Sequence, residues 1–281
     1  MPPQVLIDFQ NDHGQGVVDV VLKDKKEAYL TIGGETAFRT GYDLCDTCSY
    51  VFRKVMPAQS LTEGTDDKLA QRVSTVLKDV RQMPDSALLA HLGTIFARGT
   101  FSVALVSLTP QLTMPGDSKD YFANEAVATW GLDPYFGVPE SPRTPYYRLG
   151  SAPLGEVSHG GKLLGVALGA PLYPPTQGAM NRQDVIRNYR SVLRGGTENP
   201  TALALGLVED RGPAVWGDPA PEYSRHLIVT LYILDGHHKI AAAAAENLPL
   251  QFLVFLAHSH LGRDWRQAVD AGLGFLRVIS A

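Results

Sequence analysis

The chain has 281 residues, 44% hydrophobic and 19% charged, enough for one large domain or two modest ones around a sizeable core. A formal net charge of −4 argues against a general nucleic-acid binder, so nucleic acid is not an expected partner. Both cysteines, Cys45 and Cys48, fall in one CxxC pair, which excludes a disulfide framework.

The charge is uneven. Residues 1–145 carry 13 Lys and Arg against 18 Asp and Glu, a net of −5, whereas residues 146–281 carry 12 against 11, a net of +1. The second part is the more hospitable to a phosphate, although it holds no polybasic run. Met1–Phe9 has no basic n-region and reaches an acid at Asp8, unlike a secretory signal. No apolar stretch approaches the ~20 residues that span a bilayer. The expectation is a cytoplasmic protein with no membrane partner.

In chain order, Val5–Phe9 and Val17–Leu22 predict strands, and Lys23–Glu27 a solvated hairpin turn. Tyr29–Ile32 and Thr36–Arg39 continue the meander, and Tyr50–Phe52 follows the CxxC as an extended stretch, so the opening predicts a small antiparallel sheet. Leu69, Val73, Val76, Leu77 and Val80 make one apolar helical face, capped by Thr65–Asp67 and stopped by Pro84. Asp85 or Ser86 caps a second helix with Leu88, Leu89, Leu92, Ile95 and Phe96 inward. Phe101–Leu108 predicts a strand and Lys119–Trp130 a short helix. Four prolines and a glycine in Asp133–Pro145 mark the best border, dividing an α+β part (1–145) from a second part (146–281).

Beyond the border, Tyr146–Leu149 and Leu163–Leu168 predict strands, ended by Pro171 and Pro174-Pro175. A helix opens at Asn181 or Asp184 and closes at Gly195-Gly196, with Arg187, Arg190 and Arg194 on one face that meets either an anionic ligand or, the favoured reading, solvent. Thr201–Val208 alternates as a strand. Leu227–Leu234 is a continuous apolar run, followed by Asp235-Gly236-His237-His238-Lys239 and the alanine-rich helix Ile240–Ala245. Leu250–Ala257 is a strand and Arg263–Phe275 a final amphipathic helix. The order predicts a mixed α/β fold.

The stretch Asp235–Lys239 carries the strongest functional signal. It lies at a strand-to-helix turn, where backbone N–H groups lack intrahelical partners and the helix dipole is positive. Two histidines and a lysine crowd that positive end, while Glu246 falls near the negative one; an anion bound at the turn would reverse the cost of this placement. If Leu227–Ala257 is a βαβ crossover, its strands are parallel, and His258 and His260 then open on the same rim as His237 and His238.

The segment Leu231–Leu250, with Gln251–Phe255 after it, resembles the second half of the ParB/sulfiredoxin-like fold, where an apolar strand runs into a glycine turn with basic residues and an Ala-rich helix. Its D-G-H-H form is most similar to free serine kinases that use a nucleotide as phosphate donor. The resemblance implies that Asp235, Gly236, His237, His238 and Lys239 line a site for nucleotide phosphate (ATP or ADP, with Mg²⁺), with Asp235, His237 and His238 as the catalytic candidates and a small hydroxyl-bearing molecule as acceptor. Lys239 stands where relatives usually carry arginine and lacks its bidentate fork. His237 occupies the place where the reductases of this group need a cysteine. Those kinases also have an early catalytic glutamate; Glu156 matches no surrounding motif, and the role is not carried over.

Two other functions stay open. One is a metal-dependent hydrolase or nuclease using a rim of His237, His238, His258 and His260. The other is a nucleotide-sensing or assembly protein that keeps the turn without catalysis. Cys45 and Cys48 have the spacing of half a zinc site, which His13 or His91 would have to complete; unliganded structural thiols fit them as well, whereas a redox pair would want a helix behind it and Ser49–Phe52 reads as extended.

Overall fold

The computed structural model describes residues 4–16, 18–22, 27–32, 34–41, 53–54, 75–113, 146–149, 156–159, 162–169, 171–173, 182–211 and 225–258. The architecture is mixed α/β. β1 (Gln4–Asn11) leads to an antiparallel sheet of β2 (Val18–Leu22), β3 (Glu27–Ile32), β4 (Glu35–Gly41) and β5 (Arg53–Lys54), the meander expected from the alternating opening.

A second, ten-stranded sheet holds the rest. Helix α1 (Ser86–Gly93) precedes β6 (Gly99–Leu108) and β7 (Pro110–Thr113). Then come β8 (Tyr146–Leu149), β9 (Glu156–His159), β10 (Lys162–Gly169) and β11 (Pro171–Tyr173). Helix α2 (Gln183–Gly195), β12 (Thr201–Arg211), β13 (Arg225–Asp235), helix α3 (His237–Glu246) and β14 (Leu250–Ala257) complete the described chain. The main path runs β1-β6-β14-β12-β13-β11-β8-β7. Among the described residues no helix is long and apolar enough to cross a membrane.

Strand alternation builds the core. Val103 and Leu105, Leu253 and Phe255, Leu203 and Leu205, and Tyr232 and Leu234 join Leu89, Leu92 and Phe96 in one buried cluster. Phe96 and Phe255 stack with ring centroids 4.6 Å apart. β6, β14 and residues 231–234 of β13 are buried on both faces, which is why these stretches read as continuous apolar runs.

Several sequence expectations change. β12 pairs antiparallel with β13 and parallel with β14, so the strands flanking α3 are antiparallel to each other and Leu227–Ala257 is not a parallel crossover. A ten-residue helix of about 15 Å suffices to pass over β12, because two strand spacings amount to about 10 Å. The parallel partners of β13 are instead β10 and β11. The border at Asp133–Pro145 lies outside the described residues, and β6 pairs with β14, so strands from either side of it share one sheet.

Of the helix expected up to Val80, residues 69–74 lie outside the described residues. Leu77 and Val80 are buried as expected, but residues 77–80 have left the helical path. There they bond to the segment before β12 and its first residue, Thr201 N–H to Leu77 O and Val80 N–H to Asn199 O. Helix α1 is capped by the Asp85 carboxylate on Leu88 N–H and stops at Gly93, so Ile95 and Phe96 are buried beyond its end. The helices expected over Lys119–Trp130 and Arg263–Phe275 lie outside the described residues.

Gly14 shows how closely the strand ends are packed. A Cβ there would sit 2.4 Å from Phe96 O, 2.6 Å from the carbonyl carbon of Ala97 and 2.7 Å from Arg98 N, all backbone atoms that cannot swing aside. Gly14→Ala is therefore expected to destabilise the fold by about 2 kcal/mol or more, read as a lower urea midpoint at unchanged slope.

Candidate functional site

β13 delivers Asp235 to one end of the sheet, opposite Leu203 of β12. Gly236 turns the chain with φ 107°, a conformation that glycine alone adopts without strain. A Cβ there would also lie 2.8 Å from the Cβ of Ala202. The turn is thereby pressed onto β12. The first helical bond of α3 runs from Ile240 N–H to Gly236 O, and no side chain caps the helix. The N–H groups of His237, His238 and Lys239 precede that bond, at the positive end of the dipole.

Lys239 does not face outward. Its side chain is 4% exposed, and Nζ donates to Thr201 O at 2.8 Å, Asp235 Oδ2 at 3.0 Å and Leu77 O at 3.3 Å. An ammonium has three donors, so each is taken by the protein. The phosphate-binding role implied for Lys239 thus has no free N–H behind it in this arrangement; the residue instead ties α3 to β12 and to the segment at Leu77. The Tyr189 ring lies 5.9 Å from the same nitrogen. Burial, with Asp235 and Glu198 nearby, raises the Tyr189 phenol above its ordinary range.

His237 and His238 stay at the turn. Their rings stack with centroids 4.1 Å apart at 43°. The Nε2 atom of each is shielded from solvent and has no hydrogen-bond partner among the described residues. Burial, then the neighbouring His238, pushes His237 down to about 4. Burial, then Arg182, pushes His238 down as well. Both imidazoles are neutral at physiological pH, so each offers one N–H donor and one acceptor nitrogen.

Helix α2 forms the second wall, which sequence reasoning missed. Arg190 and Arg194 hold Glu246 at the end of α3, while Arg182 and Asp184 act on His238 at its start. The two helices therefore run in the same direction, with their N-termini together. The signal lay in the parallel pairing of β11 with β13, because α2 follows one strand and α3 the other. Arg182 Nη2 reaches Asp184 Oδ2 at 2.8 Å and holds that carboxyl below its usual range. Arg190 and Arg194, expected to be solvated, answer Glu246 at the negative end of α3. Arg194 first and Arg190 second lower the Glu246 carboxyl. Arg187 is exposed as expected.

His258 lies elsewhere. It follows β14, whose first residues pair near Thr201, so it stands at the opposite end of the sheet from His237 and His238. Its ring is buried, with Nε2 2.7 Å from Ser102 Oγ, and Ser102 Oγ donates to Asp8 Oδ1 at 3.1 Å. The four-histidine rim is thus not assembled, because antiparallel strands put the ends of β13 and β14 on opposite edges. His260, Cys45 and Cys48 lie outside the described residues. Among the described residues no group of three or more His, Cys, Asp or Glu side chains is placed to hold a metal ion.

Two outcomes test this geometry. Lys239→Met removes three donors at once and takes from the Asp235 carboxylate and the Thr201 and Leu77 carbonyls the bonds that Nζ supplied, so a loss of about 2–4 kcal/mol is expected in chemical unfolding. His237 is neutral in the fold down to about pH 4, yet the unfolded chain protonates it below its ordinary 6.5. Its contribution is therefore fully present above pH 6.5 and is lost progressively as pH falls towards about 4. The urea midpoint is expected to fall through that window, and to fall less in His237→Gln.

Comparison of the chain with protein-family models, with curated proteins and with solved structures returns no match.

Proposed function

We propose that the chain binds the phosphates of a nucleotide at the N-terminus of α3 and uses it, with Mg²⁺, for phosphoryl transfer to a small hydroxyl-bearing molecule. The observation that carries this reading is the uncapped turn, where three backbone N–H groups precede the first helical bond beside two neutral imidazoles with partnerless Nε2 atoms. The resemblance of Leu231–Leu250 to the ParB/sulfiredoxin-like turn points to the same ligand.

The roles follow from the chemistry. Backbone N–H groups of His237 and His238 would hold phosphate oxygens, and each imidazole can add a donor without adding charge. With Lys239 tied inside, Arg182 is the cation of the second wall whose charge acts on His238. Mg²⁺ would arrive on the nucleotide, held by phosphates and water, as this ion commonly is. Asp235 places a carboxylate at the turn, and a neutral imidazole beside it can accept a hydroxyl proton.

Binding without transfer is the second reading. It is favoured by the engagement of both carboxylates at the turn, Asp235 with Lys239 and Asp184 with Arg182.

Thermal denaturation with ADP, ATP and CTP, with and without Mg²⁺, tests the shared step. A nucleotide at 100 times its dissociation constant is expected to add about 2.7 kcal/mol and raise Tm by several degrees. No shift with any nucleotide at millimolar concentration overturns the proposal. Appearance of the diphosphate product with candidate alcohols separates transfer from binding alone.

A further inference from the structure

We propose that the stacked His237/His238 pair takes up one proton when an anion occupies the N-terminus of α3, so that pH sets the affinity of the site. This rests on the phosphate-site reading above and deepens it with a mode of regulation.

The geometry points to it through the surroundings of the two rings. Their centroids are 4.1 Å apart, and both Nε2 atoms are shielded and partnerless among the described residues. The charged groups facing them from α2 are Arg182 and Asp184, which pair with each other. From the turn and α3 they are Asp235 and Lys239, likewise paired. Among the described residues Tyr189 of α2 is a further titratable group on this side, and its phenol stays protonated. Pro110–Thr113 of β7, the start of β12 and all of β14 bring no charged side chain to α3.

Among the described residues the charged side chains around the rings stand in pairs, and the helix end adds a partial positive charge. Burial first, then His238 for His237 and Arg182 for His238, keeps both rings neutral without a ligand. A dianion at the turn reverses the sign of the field. One ring nitrogen then gains an N–H bond, the proton coming from the acid form of the buffer, whose conjugate base stays in solution. The resulting imidazolium donates from both nitrogens. A second proton is opposed by the first at 4.1 Å, so uptake stops at one.

The size of the effect follows from linkage. If the bound anion returns one ring from about 4 to its ordinary 6.5, affinity at about pH 5 exceeds that at about pH 8 by about thirty-fold. The rise begins below the bound-state value and flattens near the free-state one.

Sulfate is the probe, because it stays a dianion across this range and contributes no proton of its own. Calorimetric titration of the full chain with sulfate, in two buffers of different ionisation enthalpy, counts the protons taken up. Uptake approaching one per sulfate near pH 5–6, with the thirty-fold rise in affinity, is the expected result. Histidine-ring NMR of the unsubstituted protein, with and without saturating sulfate, gives the same answer without any variant. The expected change is one ring among the low-titrating pair moving upward. His237→Gln/His238→Gln is expected to abolish uptake and flatten the pH dependence of whatever binding persists. Binding with no proton taken up, and no ring moving, overturns the inference while leaving the anion site standing. Failure of sulfate, phosphate and pyrophosphate alike to bind at pH 5 overturns both.

Discussion

A buried ammonium holds this end of the molecule together. Lys239 sits in the first turn of α3, yet its Nζ reaches the carbonyls of Thr201 and Leu77 and the carboxylate of Asp235. Those groups come from the start of β12, from the segment leading to α1, and from the end of β13. A charge taken out of water is tolerated only where it is paired and hydrogen-bonded, and here both conditions are met by three separate stretches of chain. The position of the turn is thus a consequence of the tertiary fold. Gly236 adds the steric half of the same constraint, because no side chain fits between the turn and Ala202.

With the turn fixed, strand direction decides what can stand beside it. β11 and β13 run parallel, so the helices that follow them start on the same edge of the sheet. Two aligned helices repel at like ends, and each end here has its own answer. At the negative end, Arg190 and Arg194 embrace Glu246, whose acidic charge alone would be misplaced there. At the positive end, Asp184 accompanies α2 whereas α3 carries no acid in its first turn and no cap. The imidazoles respond by staying neutral. The asymmetry leaves the first N–H groups of α3 without a side-chain cap.

The opposite edge of the sheet has a different polar arrangement. Asp8, Ser102 and His258 stand on β1, on β6 and just after β14, and the central hydroxyl bonds to both neighbours. Cross-strand register brings these residues together although they are far apart in the chain. Such a row links three strands at the rim, where the backbone ladder ends.

Much of the fold was legible in the sequence because local patterns carried it. Period-two alternation located β2, β3 and β4, and unbroken apolar runs located β6, β13 and β14. The sequence offers Asp85 or Ser86 as a cap, of which the structure uses Asp85, and Gly195-Gly196 as the close of α2, since caps and left-handed glycines act within a few residues. Asp235–Lys239 was recognised as an open helix start for the same reason. The short strands β7, β9 and β11 were missed, two of them beginning at or beside proline, because edge pairing rather than propensity makes them strands. Only the tertiary structure decided the rest: that β14 lies antiparallel to β13, that His258 is carried away from the turn, that Arg182 is brought to it, and that Lys239 faces inward. Each depends on which distant strand pairs with which, and pairing is a property of the assembled sheet. Sequence by itself marked a strand-to-helix turn with two histidines and a lysine; the packed sheet determined that the lysine is used to hold the protein together.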